Sequence, residues 1–496
     1  MPSVHEKPGQ PAVLDPSLNY FPEDVNHVHL MGVCGTGMGA LASMLKSSGC
    51  HVSGSDQHVY PPMSDFLADM GIAVQAGYGA ENLDPRPDLV VVGNVIPAVN
   101  PEALALARAR IPYVSFPQAL AGKFIGSKKS LVVCGTHGKT TTSSLLATML
   151  HGAGLDPGFM IGGLVQAFGR NYNIGSGDCF VVEGDEYDTA FFDKGPKFLH
   201  YRPNIVILTS IEFDHADIYA DLEAVKQSFR RLVDIMPANG CIVACYDDPV
   251  VKEIVRGAGC EVQGYGRRPD CDWSLADMEI GPENTSFTVN RNGRPYGKMN
   301  SVMPGLHNCL NSLAVIAVMD RLGFGPGTIA RELRRFKGVR RRQEVRGIVG
   351  GVTVIDDFAH HPTAVRETLR ALAAAYAGRR LLAVFEPRTN SSRRKIFQKD
   401  YVTVFDAAVE VLVKEPDRLA GLPENELFSA PQLVRDLGAR GVSARSFEKT
   451  EDILDDLAET VHSGDVIVVM SNGGFDDIHV RLLDRLTRKE QGHGAG

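Results

Sequence analysis

Short β-branched runs alternate with longer helix-forming stretches along the whole chain, the order expected of α/β units built around parallel sheets. The first run, HVHLMGV at 27–33, is followed by CGTGMG and the helix-forming ALASMLKSSG. A second run, HVSGS at 51–55, ends on Asp56, and the polar, glycine-containing stretch GKFIGSKK at 122–129 predicts a break. The next unit opens with SLVVC at 130–134 and runs to the basic cluster Arg340, Arg341 and Arg342. Within it, the alternating polar stretch at 271–298 predicts an antiparallel patch. The last unit opens with GVTVI at 351–355, which enters Asp356 and Asp357. It closes with DVIVVM at 465–470, a Ser-Asn-Gly-Gly turn and a final helix, and its tail QGHGAG predicts an unstructured end. No internal repeat and no low-complexity tract interrupts this order.

At about 150 residues per domain, 496 residues make about three, each long enough to bury its own core. We place them at 1–128, 129–345 and 346–496. Hydrophobic residues are 44% and charged residues 22%, ordinary for a globular protein. The net charge of −8 argues against a general affinity for nucleic acid, so a phosphate-bearing ligand must be met by local bases and backbone amides. The first 27 residues hold no apolar run of the kind a signal peptide or membrane span needs, so no membrane association is expected. The nine cysteines are scattered and form no CxxC pair, which fits a reduced cytoplasm.

The strongest chemical signal is GTHGKTTT at 135–142, between the run at 130–134 and a helix-forming SSLLATMLHGAG. A strand, a glycine turn and a helix start in that order gather backbone N–H groups around an anion. Lys139 can neutralise phosphate oxygens and the Thr140 hydroxyl can ligate Mg²⁺. The loop is a shorter variant of GxxxxGKS/T, because Val133 stands at the place of its first glycine. Two further runs, 179–182 and 205–210, lead into EGDEYD and into EFDHAD. In a parallel sheet such strand ends share one edge with the phosphate loop, where their oxygen and nitrogen donors can hold Mg²⁺ bridging ATP and an acceptor. Four acids alone are more often solvated loop charges; beside a phosphate loop the metal reading is the stronger one. Gly35-x-Gly37-x-x-Ala40, with Asp56 at the end of the following run, is a weaker signal. It fits either NAD or a UDP-sugar on a helix N-terminus.

Six motifs in order, GTHGKTTT, EGDEYD, EFDHAD, PGLHNCLN, FKGVRRR and DDFAHHP, resemble the Mur ligases, the amide-forming enzymes of bacterial cell-wall synthesis. The resemblance covers about residues 27 to 486 and implies an α/β fold of three domains. These are a Rossmann-like N-terminal domain, a central P-loop ATPase-type sheet and a Rossmann-like C-terminal domain. It implies UDP-sugar binding by Gly35, Thr36, Gly37, Asp56, His137 and Asn171. ATP is implied at Gly135, Thr136, Gly138, Lys139, Thr140 and Thr141, with Asn308 and Asn311 on the adenine side and Arg342 and Asp357 closing over the nucleotide. Thr140, Glu183 and His215 match the Mg²⁺ ligands. Lys139, His215 and His361 are the candidate catalytic residues, the two histidines as bases for the attacking amine by residue type alone. One departure stands out. Several family members carry a carbamylated lysine about four turns after the histidine matched by His215, where this chain reads Gln227-Ser228-Phe229-Arg230-Arg231. Either a second metal is held differently, or Arg230 supplies the charge.

Within the family, one type adds L-alanine to UDP-N-acetylmuramate and another adds the recycled tripeptide L-Ala-γ-D-Glu-meso-diaminopimelate. YPPMS at 60–64, FFDKGPKFLHYRP at 191–203, EPRTNSS at 386–392 and SNGGFDDIH at 471–479 resemble the second type, which serves peptidoglycan recycling. Arg388 and Asn390 are the expected acceptor contacts, and Arg388, Arg393 and Arg394 suit the carboxylates of an acidic tripeptide. An NAD-dependent oxidoreductase would leave the Lys139 loop unused, and a non-catalytic nucleotide-binding regulator would not need the acids or Asp357.

Overall fold

The computed structural model describes residues 11–216, 218–417 and 423–493. Three large sheets and one two-stranded hairpin organise it, with the parallel pairing that the alternating pattern predicts. The first has five parallel strands in the order Ala73–Ala76, His51–Asp56, His27–Met31, Leu89–Val92 and Tyr113–Ser115. All four residues of Leu89–Val92 are buried, as an apolar run in a doubly covered parallel strand must be.

The central sheet has ten strands, with Cys241–Cys245, Ile205–Leu208, Lys129–Cys134 and Cys179–Gly184 side by side and parallel in its middle. The alternating stretch at 271–298 becomes the antiparallel strands Trp273–Ile280, Thr285–Arg291 and Arg294–Ser301 at one end of that sheet. The third sheet has six strands, parallel except where Glu344–Val349 folds back on Val352–Asp357. That antiparallel strand straddles the division placed at residue 345, while Lys129–Cys134 starts where the second unit was placed.

The stretch at 122–129, where a break between units was placed, is not all loop: Ala121–Ile125 is a wide helical turn with Phe124 and Ile125 buried. The two apolar side chains there outweigh the flanking glycines and lysines. The tail is also more ordered than its glycines suggest, because the helix Ile478–His493 takes in the first three residues of QGHGAG. The remaining three lie outside the described residues, as does Asp217 of EFDHAD.

The two junctions differ in kind. One continuous buried cluster joins the first and second sheets, running from Leu30 and Leu41 through Phe124 and Ile125 to Val132, Phe180 and Phe198. Phe192 of the FFDKGPK stretch adds an edge-on contact to Tyr113, with ring centres 4.8 Å apart. The third sheet has its own two clusters, and Phe213, from the segment that follows strand Ile205–Leu208, packs against one of them. Polar contacts do the rest of that junction's work. Arg342, on the third-unit side, donates to Thr140 Oγ1 at 3.2 Å, and the Ala216 amide reaches Ser391 Oγ at 3.3 Å.

Candidate active site

Register explains why the chemistry collects where it does. Strand Lys129–Cys134 pairs Val133 with Glu183 on one side and Cys134 with Leu208 on the other. Three carboxyl ends are therefore level, and GTHGKTTT, EGDEYD and the segment from Thr209 to His215 leave the sheet along one edge. A cavity of about 1080 Å³ opens over that edge and is roofed by the third unit.

The loop keeps its shape through two glycines that no other residue can replace. Gly135 has φ +128°, and a Cβ there would lie 2.2 Å from Thr209 Oγ1. Gly138 has φ +80°, with Asn311 Oδ1 2.7 Å from where its Cβ would stand. Both lie in the left-handed region that L side chains rarely adopt. Helix Lys139–Gly152 starts directly after Gly138, so its free amides face the cavity.

Lys139 Nζ donates to Gly135 O at 2.7 Å and to Glu186 Oε2 at 2.8 Å. Burial disfavours its charge, but Glu186, Asp185 and Glu183 outweigh burial and raise its pKa. Glu186 also meets His215 Nε2 at 3.2 Å through its other oxygen, and its side chain is only 2% exposed. His215 has φ +56°, which turns its ring onto Tyr187 at 4.0 Å between centres. Its pKa is raised: burial pulls it down, but the Glu186 bond and the Asp214 charge outweigh that.

Thr140 Oγ1 donates to Glu183 Oε1 at 2.9 Å, while the Gly162 amide binds the other Glu183 oxygen at 2.7 Å. Arg342 crosses from the third unit and donates to Thr140 Oγ1 at 3.2 Å, its guanidinium 4.4 Å over the Phe358 ring. Asp357 is fully engaged, accepting from the Gln343 and Ala359 amides and from Thr368 Oγ1. Gln343 in turn accepts from Asn308 Nδ2 at 3.0 Å, which links the asparagine pair to the third unit.

Of the residues read from sequence, Thr36, Gly37, Thr136, His137, Gly138, Lys139, Thr140, Thr141, Asn171, Glu183 and His215 line the cavity. So do Asn308, Asn311, Arg342, Asp357 and His361. Gly35 and Asp56 stand just outside it, Gly35 capping helix Thr36–Ser47 and Asp56 accepting from the Cys34 amide at 2.9 Å. Arg388 and Asn390 do not line it either. Arg388 sits against Gly473, 3.6 Å from Glu386, at the carboxyl edge of the third sheet.

Arg230 is placed away from the chemistry. It lies on the outer face of helix Leu222–Asp234, paired with Glu223 and Glu253, so it is not the charge that replaces a modified lysine. The cation that does line the cavity there is Lys197, 2.6 Å from Asp185. Sequence reading gave Lys197 no role of its own within FFDKGPKFLHYRP, because nothing local joins it to the acidic strand end across a short hairpin. It also left Glu186 and Glu212 as unassigned acids. Glu212 meets His137 at 3.1 Å, and burial is outweighed by that contact, so its pKa falls to about 2.

Residues 27–124 match the Mur ligase family catalytic domain, 133–319 the Mur ligase middle domain, and 341–473 the Mur ligase glutamate ligase domain. The chain belongs to the Mur ligase family. Among Mur ligases, it is similar to the UDP-N-acetylmuramate--L-alanyl-gamma-D-glutamyl-meso-2,6-diaminoheptandioate ligase of Escherichia coli (strain K12), with 39% identity over 94% of this chain and 99% of that one. It is also similar to the UDP-N-acetylmuramate--L-alanine ligase of Burkholderia cenocepacia, with 36% identity over 94% of this chain and 99% of that one. A crystal structure of a murein peptide ligase from Psychrobacter arcticus 273-4 superposes with a TM-score of 0.68 at 35% identity, covering 93% of this chain and 99% of that chain. Like other Mur ligases, this chain is an enzyme that forms carbon–nitrogen bonds.

Proposed function

We propose that this Mur ligase joins L-Ala-γ-D-Glu-meso-diaminopimelate to UDP-N-acetylmuramate at the expense of ATP, in the cytoplasm, as a step of peptidoglycan recycling. The observation that carries the ligase chemistry is the phosphate loop with Lys139 and Thr140 facing strand-end carboxylates, closed by Arg342 from another unit. The tripeptide acceptor is supported by the likeness to the Escherichia coli and Psychrobacter arcticus ligases. Among the described residues, no helix is long and apolar enough to cross a membrane.

A free carboxylate is a poor electrophile, since its charge repels the amine. The muramoyl carboxylate attacks the γ-phosphorus of ATP, forming an acyl phosphate and releasing ADP. The acceptor's neutral α-amine then attacks the carbonyl carbon, phosphate leaves, and the nitrogen loses a proton as the amide forms. Lys139 and the amides of helix Lys139–Gly152 hold the phosphates, and Arg342 adds charge from the opposite side. Thr140 and Glu183 present hydroxyl and carboxylate oxygens to one point, a donor set that fits Mg²⁺, with His215 as a further ligand. Mg²⁺ there supplies charge neutralisation on the phosphate oxygens. Gly35, Thr36, Gly37, Asp56, His137 and Asn171 are assigned to the UDP-sugar, and Arg388 and Asn390 to the acceptor, which closure of the third unit must bring inward.

The test is phosphate release with UDP-N-acetylmuramate, ATP and either amine. The tripeptide is expected to exceed L-alanine at least about a hundredfold in kcat/KM, a difference of about 2.7 kcal/mol. Two charge-assisted contacts to its extra carboxylates suffice, at about 1.5–3 kcal/mol each. Faster turnover of L-alanine makes the chain the alanine-adding type instead. Lys139→Ala is expected to abolish ligation while UDP-N-acetylmuramate still binds; loss of both argues against placing the sugar site on the first unit.

A further inference from the structure

We propose that His137, Glu212 and His361 form a transition-metal site that bridges the phosphate loop and the third unit, separate from the Thr140–Glu183 pair. One donor atom from each residue lies within 4.8 Å of the other two. His137 Nε2 is 3.1 Å and His361 Nδ1 is 3.5 Å from the same oxygen, Glu212 Oε2. The two rings stand 4.7 Å apart.

The hydrogen bonds around His361 show how its ring is held and which nitrogen carries the lone pair. Nε2 lies 3.3 Å from the Phe213 carbonyl, which only accepts, so Nε2 carries the proton. Nδ1 accepts from the Thr363 amide at 3.3 Å, so it carries a lone pair. Glu212 Oε2 lies 3.5 Å from the same nitrogen, so a cation held there takes the Nδ1 lone pair in exchange for the long Thr363 contact and draws imidazole and carboxylate together.

Two imidazoles and one carboxylate suit Zn²⁺, Co²⁺ or Ni²⁺, whereas Mg²⁺ and Ca²⁺ favour all-oxygen shells. Around an ion with bonds of about 2.0–2.1 Å, tetrahedral ligand atoms stand about 3.3 Å apart. The two contacts to Glu212 already match that spacing, and ring rotation brings the two nitrogens together. A supporting bond is also present, since Phe213 O orients the His361 ring. All three residues line the cavity, so a fourth position faces the substrates. His137 and Glu212 leave the central sheet while His361 caps the helix Pro362–Ala375 of the third unit. Such an ion therefore clamps the two units together, and since the substrates reach the cavity between them, it slows turnover.

Metal binding is read without substrate, on the full chain freed of metal. Co²⁺ is expected to give visible absorption bands that saturate at one equivalent, that Zn²⁺ displaces, and that excess Mg²⁺ leaves in place. His361→Ala and Glu212→Gln should each weaken Co²⁺ binding more than about a hundredfold, beyond what loss of a supporting bond does. His215→Ala should leave the bands intact. His137→Ala, on a part-exposed loop position, provides a second ligand deletion should His361→Ala fold poorly. Absence of the bands in the wild type overturns the site, as does their survival in both histidine deletions or their loss in His215→Ala.

Discussion

The seam between the first and second sheets and the junction between the second and third are built from opposite materials. The first is a continuous apolar cluster through Phe124, Ile125 and Phe198. The second is chiefly hydrogen bonds and charges: Arg342 on Thr140, Asn308 on Gln343, and His361 against Glu212 and Phe213 O. Apolar burial is non-directional and dry, so parting it exposes surface at a cost proportional to area. Polar contacts exchange readily for water, and their net worth is small. A chain that must admit three substrates and then surround them is expected to hinge at the second junction and stay rigid at the first.

The largest test of that contrast is Phe124→Ala. Phe124 is 5% exposed, and truncating a buried phenylalanine costs about 3–5 kcal/mol. Chemical denaturation should show that loss while turnover per folded molecule stays near wild type. Arg342→Ala should behave in the reverse way. Its kcat/KM is expected to fall about a hundredfold, about 2.7 kcal/mol, with little change in unfolding midpoint. Equal effects of both variants on stability would erase the distinction between the seams.

A smaller effect comes from pH. The His361 pKa falls from its ordinary 6.5 to about 3, so the folded chain resists a proton that the unfolded chain accepts. Its neutral form stabilises fully above about pH 6.5, and that contribution fades as pH falls toward 3. Between pH 8 and pH 5 the loss is up to about 2 kcal/mol. His215 titrates with the opposite sign, its raised pKa adding stability as pH drops. The quantity to measure is therefore the difference between wild type and His361→Asn in urea midpoint at the two pH values. An unchanged difference would show that the polar junction does not hold His361 neutral. Smallest of all is Arg230→Ala, which should leave turnover unaltered, since Arg230 meets solvent and two exposed glutamates on the outer face of its helix.

How far the sequence reached follows the range of the interactions. Helix starts, the phosphate loop and the strands entering EGDEYD and DDFAHHP were readable because each is set by neighbours a few residues away. The antiparallel patch at 271–298 was readable from its period of two. The Thr140–Glu183 contact needed only the assumption that parallel strands end level. Contacts closed between units or across a hairpin were not readable. Nothing local marks Glu212 as the partner of His361, 149 positions later in the chain by its number, or joins Lys197 to Asp185 across a hairpin. Arg388 illustrates the converse limit: its strand, Leu381–Phe385, was placed correctly, yet the side chain rests on Gly473 beside Glu386 rather than in the cavity.

Gly138 is guarded twice, by its φ of +80° and by Asn311 Oδ1 at 2.7 Å from any added Cβ. Shortening Asn311 lifts only the second obstacle, so a library randomising both positions should still return glycine at 138. Asn311 belongs to the helix that we assign to the adenine end of the nucleotide, next to Asn308. The clearance between loop and helix is thus one gauge shared by both ends of the ligand. An inhibitor enlarged at its base would press, through that shared gap, on the amides that grip its phosphates.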